Sequence, residues 1–270
     1  MFIETLILLF DFAFTILITW AIPVGHNYHY WVPLLLLFGG YFVAVGLMWL
    51  ILWIISWPYS KNKEYSKPSR WAQFWLSEAL AYIHNHARIK LNVHGDAAFP
   101  KERYLLVCNH RSKFDPMLLA ELYGRRDQLA FISKPTNFKI PLGGHFMKAC
   151  CYLSIDRYDK LKSLEVMNKA SQLIAEDKAS VGVFPEGTRS EDTNLGPFHE
   201  GVFSIAKKTK CPIVITSIKG TENIHKNFPK RKTNVDLEIL EIMYPEDYDS
   251  MIAKEISDHA RELMYHSLGH

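Results

Sequence analysis

A titratable ring and a carboxylate stand five positions apart where an apolar run stops. Tyr104-Leu-Leu-Val-Cys108 is followed by Asn109-His110-Arg111-Ser112-Lys113-Phe114-Asp115. An unperturbed histidine titrates near pH 6.5, so His110 can take up a proton at neutral pH. A carboxylate folded back by a turn can hold one ring nitrogen and leave the other facing an alcohol. That is a general base with its orienter but without a nucleophile of the protein's own, and a substrate hydroxyl would complete it. Ser112 is the one hydroxyl in the stretch, and nothing in its spacing supports it as a nucleophile. A plainer reading stands beside this one. Asp115-Pro116 is also a good N-cap and first helical residue for a helix over Met117–Leu122, which would leave His110 an ordinary turn residue.

A second group follows another apolar run, in Phe184-Pro-Glu-Gly-Thr-Arg-Ser190. Pro185 and Gly187 force a turn and let the backbone approach a ligand closely. Arg189 offers a planar fork suited to phosphate. Glu186 can bind a ligand hydroxyl or fix the arginine; a strand-end loop with a surface ion pair is the alternative. Lys134 and Arg157 also stand just past apolar runs. One such cation is usually only solvated, whereas several at strand ends point to a pocket for an anionic head group.

These residues need elements that bring them together. Segments with strand character cover Ile89–His94, Tyr104–Cys108, Gln128–Ser133, Ser180–Phe184, Pro212–Ile218 and Val235–Leu240. Helical segments at Pro116–Leu122, Leu161–Glu176, Val202–Lys208 and Met251–Ser267 separate or follow them. Strands alternating with helices predict an α/β layer structure with a mixed, largely parallel β-sheet flanked by helices. The continuous apolar run before His110 marks a central strand covered on both faces. Open sheets of this kind bind ligands beyond the carboxyl ends of their strands, which is where His110 emerges.

The front of the chain differs in kind. Residues 1–60 carry no Lys or Arg, and their only charges are Glu4 and Asp11. All 31 basic residues therefore fall from Lys61 onward against 26 of the 28 acidic ones, leaving that part at +5. Trp31–Tyr59 is uncharged and exceeds the roughly 20 residues that span a bilayer. Leu6–Ile22 contains Asp11, which costs about 2.5–3.5 kcal/mol at the centre of a span. Its eleven Leu, Ile and Phe residues, at about 0.3–0.6 kcal/mol each, narrowly outweigh that cost. A partly inserted interfacial helix is the alternative. The connecting Pro23–Trp31 is a short turn with interfacial aromatics. The absence of a basic leader and a small-residue cleavage site speaks against a signal peptide. Lys61, Lys63, Lys67 and Arg70 after the second run place the body on the cytoplasmic face by the positive-inside rule.

The expected organisation is a membrane-inserted helical hairpin over 1–60, a basic and aromatic interfacial helix region over 61–88, and an α/β domain over 89–270. In the middle region Trp71, Phe74, Trp75, Ala79, Tyr82 and Ile83 recur at helical spacing. That stripe suits either a membrane interface or the core of the domain. Cys108, Cys150, Cys151 and Cys211 show no C-x-x-C pairing and read as reduced thiols. The chain has no H-E-x-x-H, P-loop, G-x-S-x-G or G-x-G-x-x-G string, which removes several common enzyme classes.

Taken together, these blocks resemble the glycerolipid acyltransferases, the group that contains 1-acylglycerol-3-phosphate (lysophosphatidate) acyltransferase. Asn109-His110 with Asp115 matches that family's N-H-x4-D motif, and Phe184–Ser190 matches its F-P-E-G-T-R-S block. Lys134 with Lys139-Ile-Pro141 and Gly144, Ile155-Asp156-Arg157, and Pro212-Ile-Val214 resemble three further blocks in the family's order. The similarity covers roughly residues 85 to 245. Glu200 stands where the family usually has a basic residue, Ile215-Thr216 lacks a usual second proline, and Ser154 replaces a common apolar residue.

The resemblance implies an integral membrane acyltransferase. It would move a fatty acyl group from a thioester, acyl-CoA or acyl carrier protein, to the free hydroxyl of 1-acyl-sn-glycerol 3-phosphate, giving phosphatidic acid. His110 and Asp115 would be the catalytic pair. Glu186, Gly187, Arg189 and Arg157 would hold the acceptor, with Lys134, Asn109 and Arg111 as further contacts and Asn109 also placing the turn. No metal, cofactor or nucleic acid is expected, and the bilayer would be the working surface. Two rivals are an acyltransferase for another head group or for glycerol 3-phosphate, and a non-catalytic membrane-anchored lipid-binding protein.

Overall fold

The computed structural model describes residues 2–21, 31–59, 65–95, 99–156, 159–189 and 194–269. Residues 23–30 of the expected interhelical turn, together with Lys61 and Lys63, lie outside the described residues. The chain divides into two compact units, Met1–Ser60 and Lys61–His270.

The first unit consists of helices α1 (Phe2–Ala21) and α2 (Trp31–Ser56), which pack against each other. Both are long and apolar enough to cross a bilayer. They leave large apolar side chains on the surface, among them Leu9, Phe12, Leu17 and Trp20 of α1 and Leu34, Phe38 and Phe42 of α2. Only about a fifth of each apolar stretch is buried. Asp11 is buried within this unit. Its carboxyl lies so close to Gly40 of α2 that a Cβ there would meet Oδ1 at 2.3 Å.

The second unit opens with α3 (Arg70–His86), which is capped by the Ser69 hydroxyl accepting from the Ala72 N–H at 3.2 Å. Its aromatic stripe is divided: Trp75 is buried and Trp71 is exposed. Among the described residues seven strands follow, namely β1 (Ile89–His94), β2 (Leu105–Cys108), β3 (Ala130–Ser133), β4 (Leu153–Ser154), β5 (Val181–Val183), β6 (Ile213–Lys219) and β7 (Thr233–Met243). They form one sheet in the order β1-β7-β6-β2-β5-β3-β4. The five strands β2 to β6 run parallel, with Val107 opposite both Val183 and Ile215. Strand β7 pairs antiparallel with β6, and β1 is parallel to β7. The sheet is therefore mixed and largely parallel, as expected for the α/β class.

The alternation within β2 explains why it is central. Leu105 and Val107 enter one apolar layer with Val181, Val183, Ile213 and Ile215. Helices α6 (Lys160–Ala175), α7 (Ser204–Thr209) and α8 (Ala253–Ser267) cover that layer. Leu106 and Cys108 enter the opposite layer, against Leu118, Leu119 and Tyr123 of α4 (Asp115–Asp127). A strand apolar on both faces has no solvent side, so its polar residues begin only where it ends. Strands β2, β3, β4, β5 and β6 all end at one edge of the sheet. Asn109-His110, Lys134, the block from Phe184 and Gly220-Thr221 consequently sit at that edge.

The four cysteines are buried free thiols. Three elements lacked a sequence signal: the two-residue β4, the short helix α5 (Gly143–Ala149) and the left-handed Leu142 that starts it.

Candidate active site

His110 Nδ1 lies 2.9 Å from Asp115 Oδ2. The same oxygen accepts the backbone N–H of Arg111 at 2.7 Å and of Ser112 at 2.6 Å. The other oxygen, Oδ1, accepts the Thr221 hydroxyl at 2.6 Å. Asp115 is fully buried, and a carboxylate at such depth is tolerated only when its lone pairs are filled in this way. The residue does not cap α4, contrary to the plainer expectation. Phe114 is the N-cap, Asp115 is the first helical residue, and its side chain turns back on the preceding loop. Burial of the carboxylate against Nδ1 fixes the ring tautomer. Nδ1 carries the proton and Nε2 the lone pair. The His110 side chain is 17% exposed, so solvent or a ligand can reach the ring.

The ring is also held by stacking. Phe184 lies against it with centroids 4.4 Å apart and planes 27° apart, and Phe131 stacks on Phe184 at 5.8 Å. Phe131 fits because β5 has glycine at position 182, where a Cβ would come within 2.4 Å of its ring. Neither Phe184 nor Gly182 carries a signal in the sequence that marks it as a support for the imidazole.

The second motif meets the first through Glu186. Its Oε1 accepts the His110 backbone N–H at 2.7 Å, and its Oε2 accepts the Gly196 N–H at 2.9 Å. Glu186 is buried. The carboxylate thus ties the β2 turn, the β5 turn and the segment before the Glu200–Phe203 turn into one unit. Glu186 is expected to bind the acceptor; in the structure each of its oxygens accepts a neighbouring backbone N–H. The turn that aims it depends on Gly187, whose φ of 71° is left-handed and whose N–H donates to Phe184 O at 3.0 Å.

Asn109 is held in a similar way. It is fully buried, its Oδ1 accepts the Ile218 N–H at 2.7 Å and its Nδ2 donates to Ile218 O at 2.9 Å. The amide continues the β2–β6 ladder beyond the last paired residues, Cys108 and Thr216, so it shapes the turn and does not face a ligand. Arg111 does not extend into solvent either. Its side chain is 10% exposed, and Nη1 lies 3.8 Å from Glu222 Oε1.

Arg189 and Lys134 are exposed at the ends of β5 and β3. Arg189 is three residues from Glu186, so at most about 11 Å of chain separates it from the residue holding the His110 amide. Arg157 and Ser190 lie outside the described residues. Thr221, the donor to Asp115, belongs to none of the quoted motifs. Its contact joins positions 106 apart in sequence, and only the fold makes it visible.

This arrangement can do proton-transfer chemistry on a hydroxyl at Nε2, with cations nearby for an anionic group. Comparison with known proteins points the same way. The sequence pattern described as acyltransferase matches residues 90–219. A chloroplastic 1-acyl-sn-glycerol-3-phosphate acyltransferase of Brassica napus is 38% identical over 118 residues, covering 44% of this chain and 33% of the relative. A 1-acyl-sn-glycerol-3-phosphate acyltransferase of Chlamydomonas reinhardtii is 31% identical over 162 residues, 59% of this chain and 48% of the relative. The chain thus spans between a third and a half of the length of these curated relatives. In fold it is similar to the crystal structure of the 1-acyl-sn-glycerophosphate acyltransferase PlsC of Thermotoga maritima. That likeness has a TM-score of 0.56 at 24% identity, and it covers 72% of this chain and 80% of the other. Residues 90–219 thus match the acyltransferase family model, and through that segment the chain is similar to these 1-acyl-sn-glycerol-3-phosphate acyltransferases.

Proposed function

We propose that the chain transfers a fatty acyl group from a thioester to the free hydroxyl of 1-acyl-sn-glycerol 3-phosphate, giving phosphatidic acid. The observation that carries this is the His110–Asp115 pair at the carboxyl edge of β2, with the ring oriented at Nδ1 and its basic nitrogen set to take a proton. In the reaction, Nε2 removes the hydroxyl proton as the oxygen bonds to the thioester carbonyl carbon. The carbonyl electrons move onto oxygen. When the tetrahedral intermediate collapses, the C–S bond breaks and the departing thiolate takes the proton from the imidazolium. Asp115 stays ionised and stabilises the charged ring while it lasts. A positioned base of this kind contributes roughly 10² to 10⁴ in rate, and alignment of the two substrates contributes much of the rest. No covalent part is assigned to Ser112, whose hydroxyl oxygen accepts the Phe114 N–H at 3.3 Å.

Arg189, with Lys134 and Arg157, is assigned to the phosphate of the acceptor. The first two are exposed cations at strand ends on the edge that carries His110. The donor is acyl-CoA or acyl carrier protein. Both substrates carry long chains that partition into lipid. Apolar helices α1 and α2, with their exposed Leu, Phe and Trp side chains, suit anchorage in a bilayer where those chains reside. Lys67 and Arg70 follow α2 and favour the cytoplasmic side for the catalytic unit.

The test uses the purified full chain, labelled acyl-CoA and a panel of lysophospholipids with glycerol 3-phosphate, the products being identified by mass. Phosphatidic acid as the dominant product supports the assignment. Preference for a larger head group or for glycerol 3-phosphate moves it to another acceptor, and no acyl transfer to any member of the panel refutes it.

A further inference from the structure

We propose that Thr221 is a positioning residue for the His110–Asp115 pair, an inference that rests on the acyltransferase function proposed for that pair. Thr221 opens the turn after β6, directly behind Gly220, and is fully buried. Its hydroxyl donates to Asp115 Oδ1 at 2.6 Å. The two oxygens of Asp115 have separate duties. Oδ2 takes the His110 ring and two backbone N–H groups from the 111–112 turn. Among the described residues Oδ1 has Thr221 as its donor and no other. The hydroxyl therefore sets the rotation of the carboxylate about its Cβ–Cγ bond, and with it the direction in which Oδ2 meets the ring.

Removing the hydroxyl leaves a fully buried anionic oxygen with no donor. A carboxylate in that state turns to share the donors of its other oxygen or draws in water, and either change tilts the imidazole. Threonine suits the task because its branched Cβ restricts χ1, so the hydroxyl is already aimed. Thr221 also completes a pattern. The end of β6 supports the turn after β2 twice, through Ile218 on Asn109 and through Thr221 on Asp115. The β6 end thus holds both the turn that presents the base and the group that orients it.

The experiment compares Thr221→Val, which keeps size and branching, with Thr221→Ser, which keeps the hydroxyl. Both are made in the full chain and assayed in detergent with acyl-CoA and lysophosphatidate. Rates are expressed per folded protein, measured by circular dichroism. Thr221→Val should lose roughly ten- to a hundredfold in kcat, with KM for both substrates within about twofold, because binding groups are untouched. Thr221→Ser should return kcat to within about threefold of the unaltered chain. The inference is overturned if Thr221→Val keeps full kcat per folded protein, or if Thr221→Ser is as impaired as Thr221→Val, since volume and not the hydroxyl then matters. Absence of product from the unaltered chain is a different failure: it removes the acyltransferase function itself, and this inference with it.

Discussion

Replacing Glu186 by glutamine separates two roles that the sequence could not tell apart. In the structure its carboxylate accepts two backbone N–H groups, from His110 at 2.7 Å and Gly196 at 2.9 Å, at a buried position. Glutamine keeps one acceptor oxygen and sets an NH₂ group against the other N–H. One charge-assisted bond, worth about 1.5–3 kcal/mol, is lost, and the surviving bond is weakened to that of a neutral pair. A central value is about 3 kcal/mol. For a unit the size of Lys61–His270, that corresponds to a fall in Tm of roughly 6–12 °C. The same change releases the backbone of His110, so kcat should drop by roughly ten- to a hundredfold through misalignment of the base. KM for the lysophospholipid should stay within about twofold. The assay pairs thermal unfolding of the full chain in detergent with steady-state kinetics in the acceptor. A many-fold rise in acceptor KM at unchanged Tm and kcat would show that Glu186 binds the acceptor, and would refute the clamp.

Further expectations concern the supports and the surroundings of the site. Gly182→Ala places a methyl within 2.4 Å of the Phe131 ring and pushes the Phe131–Phe184–His110 stack; it should cost about 1–3 kcal/mol and lower kcat, and an alanine variant with full stability and activity would show that the stack yields freely. Arg189→Ala should raise KM for a phosphate-bearing acceptor roughly tenfold or more while leaving Tm unchanged, because Arg189 is exposed; an unaltered KM would remove it from the phosphate site. His84 is held by Glu121 at 2.7 Å, and that hydrogen bond raises its pKa above 6.5 despite the opposing effect of burial. A raised folded-state value means that the pair's stabilisation is complete below about pH 6.5 and is lost as pH rises through the folded value. The Tm advantage of the unaltered chain over His84→Gln should therefore be full below about pH 6.5 and shrink as pH rises above it, and an advantage that does not change with pH would contradict the assignment.

The sheet was largely legible because its central strands are continuous apolar runs. Tyr104–Cys108 and Pro212–Ile218 carry enough Val, Ile and Leu to be recognised without knowing their neighbours. Strand β4 is two residues long and has no period to detect, and α5 begins after a left-handed leucine that no composition rule foretells. At the site, His110 and Asp115 could be paired from sequence because the contact is local. Their supports could not. Glu186 reaches across 76 positions to an amide, Asn109 across 109 and Asp115 across 106. Each of those contacts depends on which strands neighbour β2 and in what register. Spacing within a motif carries no such information. This explains why the backbone contacts of Glu186 and Asn109 are not legible within their motifs. Buried Asn and Glu side chains at strand ends are drawn to unpaired N–H and C=O groups as strongly as to a substrate.

The comparison with most at stake is between the purified full chain and its His110→Ala variant, with acyl-CoA and lysophosphatidate in mixed micelles and both proteins checked for equal folded content. If His110 is the base, the unaltered chain forms phosphatidic acid, and the alanine variant, equally folded, is slower by roughly 10² to 10⁴ in kcat. A variant that retains more than about a tenth of the rate would show that the proton leaves the hydroxyl by another route, and the chemistry assigned to this edge of the sheet would have to be abandoned.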